Sequence, residues 1–291
     1  MHYRVRHVTE LSYARPLGLA RYNLRLRPVA WPGQRVLDYA LETDLDHEPL
    51  REVPSPWPVN TDRLIIAAGE SNLTLISSFA VTVEPTPPPA GDAPITHVRQ
   101  QALAANSLGP LAPGTYLFAS PLAPLEEKIG EWAEPHLEEG TLATARAVAS
   151  AIHTEFRYQP GTTTSTTPPI VAFRARRGVC QDFAQVMIVA LRHHGIPAAY
   201  VSGYLLTEPP PGQERLVGAD AMHAWVNVWV GPEIGWIGID PTNDCLAGEG
   251  HIAVAMGRDY GDVAPIDGVF VGSEGQTMAL AVDVVATGET T

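Results

Sequence analysis

The sequence predicts an α+β chain in three parts: an N-terminal antiparallel β-sandwich-like domain over 1–90, a linker or strap over 91–120, and a core over 121–291 in which a helix packs on an antiparallel sheet. Three observations predict it. Short runs of alternating apolar residues, separated by turn residues, fill the N-terminal part. The hydrophobic period then changes from two to that of a helix between Leu122 and Phe156. Finally, an apolar helical stretch beginning at Cys180 is followed by two further alternating runs, Met222 to Val230 and Trp236 to Asp240.

The N-terminal runs are Tyr3-Val5-His7, Tyr22-Leu24-Leu26, Leu37-Tyr39-Leu41, Leu64-Ile66, Leu73-Leu75 and Phe79-Val81-Val83. Strands this short, broken by turns, suit a sandwich or barrel. The segment Glu84 to Asp92, with Pro85, Pro87, Pro88 and Pro89, has the stiffness of a linker or surface strap. Beyond it, Leu125, Ile129 and Trp132 mark one amphipathic helix, and Leu142, Ala145, Ala149, Ile152 and Phe156 mark a second; both are expected to pack on the core sheet. Tyr158-Gln159-Pro160-Gly161 then opens a threonine-rich loop, Thr162 to Thr167, either the wall of an entrance or a solvated connection. Met278, Leu280, Val282 and Val284 form a closing strand before a polar, disordered-looking tail.

At 291 residues, 45% hydrophobic and 18% charged, the composition is that of an ordinary soluble protein with room for one large or two medium cores. A net charge of -13 argues against general nucleic-acid binding. Residues 1–35 nevertheless hold seven arginines and one acid, a bias expected to be met by acids elsewhere on the surface. No apolar run has signal-peptide or membrane-spanning length, so the sequence reads as cytoplasmic, without a membrane partner. In that compartment Cys180 and Cys245 are expected to be free thiols.

After Cys180, Phe183, Val186, Met187, Ala190 and Leu191 recur at helical spacing, and Ala184, Ile188 and Val189 fill most of the remaining circumference. Such a helix is buried. Gly195 and Pro197 end it, so Cys180 falls at its first turn, where unpaired N–H groups and the positive end of the dipole favour a thiolate. Asp182 is expected to cap that turn or to pair with Arg176 or Arg177, and His193 and His194 to serve the C-terminal end. Cys245, in the loop Asn243-Asp244-Cys245-Leu246, has no such setting.

Met222, Ala224, Val226, Val228 and Val230 share one face of a strand, with His223, Trp225, Asn227 and Trp229 on the other. The run Gly231 to Gly235 turns the chain into Trp236–Asp240, making a hairpin. A two-residue turn at Gly231-Pro232 sets His223 directly opposite Asp240. A longer loop, favoured by Pro232 and Gly235, moves them to a diagonal within about 8 Å at the backbone. Either way the carboxylate reaches the ring. A helix-start cysteine, a strand histidine and a carboxylate on the next strand are nucleophile, base and orienter. Metal chemistry has less support, because no CxxC, HxxxH or close acidic cluster accompanies these residues, and no cofactor motif is present.

These residues carry a resemblance. The run Gly178-Val179-Cys180-Gln181-Asp182-Phe183-Ala184, with Gly203-Tyr204, His223-Ala224-Trp225 and Asp240-Pro241-Thr242-Asn243, resembles the transglutaminase-like superfamily and its bacterial branch in particular. Tyr3 to Thr9, Leu24 to Pro28 and His251 to Tyr260 also look like that branch, so the likeness covers nearly the whole chain. Gln185 departs from it, standing where many relatives carry histidine. The resemblance implies a papain-like core and acyl transfer on a peptide or other amide through Cys180, His223 and Asp240. Hydrolysis is the expected outcome, with cross-linking as a protein-glutamine γ-glutamyltransferase the alternative; a scaffold module without chemistry would have no need of all three residues. The backbone N–H of Cys180 is one candidate oxyanion donor, Tyr158 and Gln159 are candidates for a second, and Trp225 is the residue expected to shield the site.

Overall fold

In the computed structural model, residues 1–45, 47–67, 69–85, 87, 89, 91–206, 221–272 and 275–288 are described. Asp220, alternate residues of the proline-rich strap and the tail beyond 288 lie outside them. Six strands come first: β1 (His2–Tyr13), β2 (Leu19–Leu24), β3 (Gln34–Thr43), β4 (Arg51–Val53), β5 (Thr61–Ile66) and β6 (Asn72–Val83). The runs at Leu73 and Phe79, separate in the sequence reading, are one strand, because both belong to the face of β6 that is buried. Sheet pairing is antiparallel throughout this part.

The segment expected as a linker is folded. It contains α1 (Ile95–Ala104) and a short turn whose Tyr116 is fully buried, edge-on to Trp57 and Trp236. Two helices follow, α2 (Glu127–Ala133) and α3 (Thr141–Glu155), then β7 (Arg157–Tyr158), α4 (Pro169–Ala175), β8 (Arg177–Gly178) and α5 (Cys180–His193). The remaining elements are β9 (Ala198–Leu205), β10 (Met222–Trp229), β11 (Trp236–Asp240), β12 (Cys245–Leu246), β13 (His251–Gly257), α6 (Tyr260–Val263), β14 (Ile266–Val271) and β15 (Gln276–Thr287).

The central sheet runs β12-β11-β10-β9-β13, and two four-stranded sheets, β15-β1-β6-β3 and β14-β2-β5-β4, make the N-terminal sandwich. Its closing strand therefore pairs with β1, from Thr9 against Leu280 to Val5 against Val284, and not with the core. Position in sequence suggested the core; the twelve-residue register of β15 along β1 places it in the sandwich instead. Leu11, Tyr13, Tyr22, Leu24, Leu64, Ile66, Leu73 and Leu75 fill the space between the two sheets. Tyr3, Val5, Phe79 and Val81 instead belong to the same buried cluster as α5, so the sandwich and the core share apolar packing. Gln34 joins them, its amide donating to Ala253 O at 2.7 Å and accepting from Ala253 N at 2.8 Å. Arginines of the basic N-terminal segment meet acids, Arg25 with Asp267 and Arg27 with Glu52 and Asp62.

Helix α5 packs on β9 and β10 and is covered by α2, α3 and α4. The two preceding helices thus reach the core chiefly through α5, with α3 also touching β11. Gly195 takes φ +78°, and Ile196 N–H bonds Leu191 O while Gly195 N–H bonds Arg192 O, a closing motif that only a residue without Cβ adopts at low cost. His194 bonds Gly130 O at 3.0 Å, so the histidines at this end dock α2. The second face of the central sheet is also dry: Trp225 and Asn227 are buried there, beneath Tyr116 and Met256. No helix of the described residues is long and apolar enough to cross a membrane.

Candidate active site

Cys180 is the first residue of α5. The turn before it is built by Asp182, whose carboxylate accepts the Val179 N–H at 2.8 Å and the Thr163 hydroxyl at 2.7 Å. Burial pushes this carboxyl up, while those two donors pull it down. A Cβ on Gly178 would lie 2.5 Å from the Asp182 oxygen, so glycine is needed there for close approach. Gln181 donates to Ser165 O at 2.9 Å, and with the Thr163 bond this pins the threonine loop beside the start of α5. The arginine pairing open to Asp182 is not made by Arg176, which meets Glu155 at 3.4 Å and lies 4.2 Å over the Phe173 ring.

The hairpin has the longer loop. Trp229 pairs with Trp236 and Val226 with Ile239, and Val230 N–H closes the turn on Gly235 O at 3.0 Å. A type I′ two-residue turn would need positive φ at Pro232, which its ring forbids; in the longer loop Gly231 and Gly235 take the positive values, +114° and +81°. His223 and Asp240 are consequently diagonal. The reach suffices: His223 Nε2 donates to Asp240 Oδ2 at 2.7 Å. This leaves Nδ1 as the ring nitrogen for Cys180.

Asp240 is fully buried and accepts five hydrogen bonds. Oδ1 takes the backbone N–H groups of Thr242 at 2.8 Å and Asn243 at 3.2 Å. Oδ2 takes His223, the Asn243 amide at 2.7 Å and His251 Nε2 at 3.2 Å. Burial acts to raise this carboxyl, but the donors outweigh it and hold it well below the usual carboxylate range. For His223, burial disfavours the cation, whereas bonding and charge from Asp240 and from Cys180 raise it to about 9. The ring is therefore set up to carry a proton at neutral pH. Helix α3 steadies the turn from behind, with Ser150 donating to Asp244 at 2.5 Å and His153 to Thr242 O at 2.9 Å.

Trp225 stacks on His223 at 6.3 Å with 27° between planes and meets His251 edge-on at 5.2 Å. Its indole lies across Gly203 and Gly238, where added Cβ atoms would come within 2.5 Å and 3.3 Å of it. Tyr158 pairs in parallel with Gly178, just before Cys180, and leaves its ring half exposed against Phe183. Burial and the Cys180 charge push its phenol up. Gln159 meets the same place through its backbone, its N–H bonding Gly178 O at 2.8 Å. Gln185 is buried one turn into α5, and its Oε1 has no hydrogen-bond partner among the described residues. Cys245 sits in the short strand β12 opposite Asp240 rather than in a loop; burial, with the Asp240 and Asp244 carboxylates, pushes its thiol up. Both cysteines are free.

His251 is the site neighbour that sequence spacing does not pick out. It opens β13, which pairs with β9 as β10 does, and this brings it to the carboxylate from the far side of the sheet. The turn Gly248-Glu249-Gly250 soon after Asp240 was the available signal, since it allows a tight return toward the hairpin. His223, Asp240 and His251 offer donor atoms within 4.8 Å of one another, a set a cation could use, although each donor is engaged in a hydrogen bond.

Comparison with known proteins bears on the family and the fold. Residues 131–241 match the model of the transglutaminase-like superfamily, and residues 3–82 that of the bacterial transglutaminase-like N-terminal region. An uncharacterized protein of Mycobacterium tuberculosis is 36% identical over 97% of this chain and 92% of its own length. A protein-glutamine gamma-glutamyltransferase of Pseudomonas aeruginosa is 37% identical, but over 34% of this chain and 16% of its own. A solved Cytophaga hutchinsonii protein, described as a proposed cysteine protease, shares the fold with a TM-score of 0.73 at 20% identity, covering 100% of this chain and 92% of that one.

Proposed function

The chain belongs to the transglutaminase-like superfamily, and we propose that within it the protein is a thiol-dependent hydrolase of peptide or other amide bonds. The observation that carries this reading is the position of His223, whose Nε2 is held by a buried carboxylate while Cys180 interacts with the same ring. The proton that Cys180 shares with His223 stays on Nδ1 as Sγ bonds the carbonyl carbon. The C–N bond then breaks, and the Nδ1 proton goes to the leaving amine. Water adds to the thioester with His223 taking its proton, the S–C bond breaks, and acid and thiol are released. Asp240 keeps the ring in the tautomer with a proton on Nε2 and balances the imidazolium.

The Cys180 N–H at the helix start is one donor to the developing oxyanion, and Tyr158, beside Gly178 and within electrostatic range of Cys180, supplies the second in preference to Gln159. Trp225 shields the imidazole. Hydrolysis, rather than amine transfer, is favoured by the polar threonine loop pinned beside the nucleophile, which admits water. The likeness of one segment to a γ-glutamyltransferase supports the alternative of amine transfer. Lys128 is the only lysine, which spares the protein from cross-linking itself and is compatible with both outcomes. The experiment is a partition: glutamine-containing and other short peptide amides with excess labelled primary amine, scoring free acid against amine adduct. Predominant acid is expected; predominant adduct at modest amine concentration makes the enzyme a transferase, and neither product from any amide refutes acyl transfer.

A further inference from the structure

We infer that His251 is a positioning residue of this site, a second imidazole whose Nε2–H holds Asp240 in the orientation His223 needs. The inference rests on the triad reading above. Two hydrogen bonds define the tautomer. Gly248 N–H donates to His251 Nδ1 at 3.2 Å, so Nδ1 carries no proton, and Nε2–H is free to donate to Asp240 Oδ2 at 3.2 Å. Through that bond His251 supplies direction to the carboxylate.

That direction has structural consequences. Oδ2 receives His223, Asn243 and His251 from three sides, which fixes the carboxylate plane more tightly than the two backbone bonds to Oδ1 alone. The His251 ring also packs edge-on to Trp225, which itself stacks on His223, so the three rings form one block. Behind this block lies a cavity of about 110 Å³ lined by Trp31, Trp225, Trp236, Gly248 and His251. His251 lines that cavity and bonds Asp240, which has no exposure of its own. It thus separates the carboxylate from the space behind the sheet, and a dry carboxylate orients and charges an imidazole more strongly than a hydrated one.

The test uses the full chain and needs no substrate, because iodoacetamide alkylation of Cys180 reads the Cys180–His223 pair directly. Three variants are compared with the parent for alkylation rate at pH 7 and for the alkaline inflection of the pH profile. His251→Phe keeps the ring and removes both bonds; His251→Asn places an amide near Nδ1 but is too short to reach Asp240; His251→Gln places an N–H donor where Nε2 stood. We expect Phe and Asn to slow alkylation about tenfold and to lower the inflection, and Gln to recover to within about threefold of the parent. A parental rate and profile in both Phe and Asn overturns the role. So does a Gln variant as impaired as Asn, which would show that packing and not the bond to Asp240 matters. If Phe does not fold, the comparison of Asn with Gln decides alone. Absence of amide turnover in the parent would remove the acyl-transfer reading and leave this result standing.

Discussion

Replacing Asp240 by asparagine keeps the side-chain volume and turns a donor toward three of its five hydrogen-bond partners. The carboxylate accepts five donors, and asparagine has one oxygen to offer. Turned toward the Thr242 and Asn243 backbone, that oxygen keeps both bonds of Oδ1, but the new NH₂ then faces N–H groups of His223, Asn243 and His251. His223 can relieve the conflict only by losing its Nε2 proton and carrying one on Nδ1, the tautomer that cannot accept a proton from Cys180. The expected loss of turnover is about 10⁴-fold. Charge is lost as well. The rise of His223 from 6.5 to about 9 corresponds to about 3 kcal/mol favouring its cation in the folded state.

Because the folded value lies above the unfolded one, that stabilisation is present below pH 6.5 and is lost as pH rises through 9. Asp240 is the same interaction seen from its partner: its depressed folded value gives stability above the unfolded carboxyl value of 3.8 that is lost in acid. In Asp240→Asn the contribution of Asp240 is removed while that of Cys180 remains, so the alkaline limb should move down from about 9 and stability at pH 6 should fall by up to about 3 kcal/mol. The measurements are chemical denaturation at pH 6 and at pH 10, and alkylation of Cys180 from pH 5 to 10. A variant that keeps an inflection near 9, or turns over within about tenfold of the parent, would show that another group charges and orients His223.

Two further outcomes are expected. Cys180→Ala should abolish both turnover and the fast phase of thiol alkylation, while Cys245→Ala should leave both nearly intact, since the Cys245 thiol is pushed up by burial and by two carboxylates; equal loss in the two variants, read by mass spectrometry of the alkylated sites, would refute the assignment. Gly203→Ala should destabilise the protein by about 3 kcal/mol, because its Cβ would stand 2.2 Å from Ile252 O in the adjacent strand and 2.5 Å from the Trp225 ring; a thermal midpoint unchanged from the parent would mean the sheet yields there without cost.

Local chemistry determined much of this molecule. The start of α5 at Cys180 and its end at Gly195 follow from apolar spacing, the Asp182 cap and a glycine that accepts φ +78°, all within one stretch of chain. The hairpin carrying His223 and Asp240 follows from alternation around a turn, and Pro232 with Gly235 favoured the longer loop that the register shows. The pairing of β15 with β1 had no such local cause. It depends on which edge is left open when strands distant in sequence have found their partners, and strand periodicity is silent about partners. The same holds for Tyr116, whose burial beneath Trp57 and Trp236 turned an expected linker into part of the core.

At the site, the dividing line runs through Asp240. Its bonds to Thr242 and Asn243 lie within a four-residue turn and its bond to His223 crosses one hairpin, so sequence-range geometry reaches them. The bond from His251 requires β13 to pair with β9 on the side away from β10 and β11, and Trp225 and His251 are among the residues that line the cavity behind the buried Asp240. Hydrogen-bond reach is a few ångströms, and contacts of that length between residues on non-adjacent strands are set by the packing of the whole sheet, which no local spacing records.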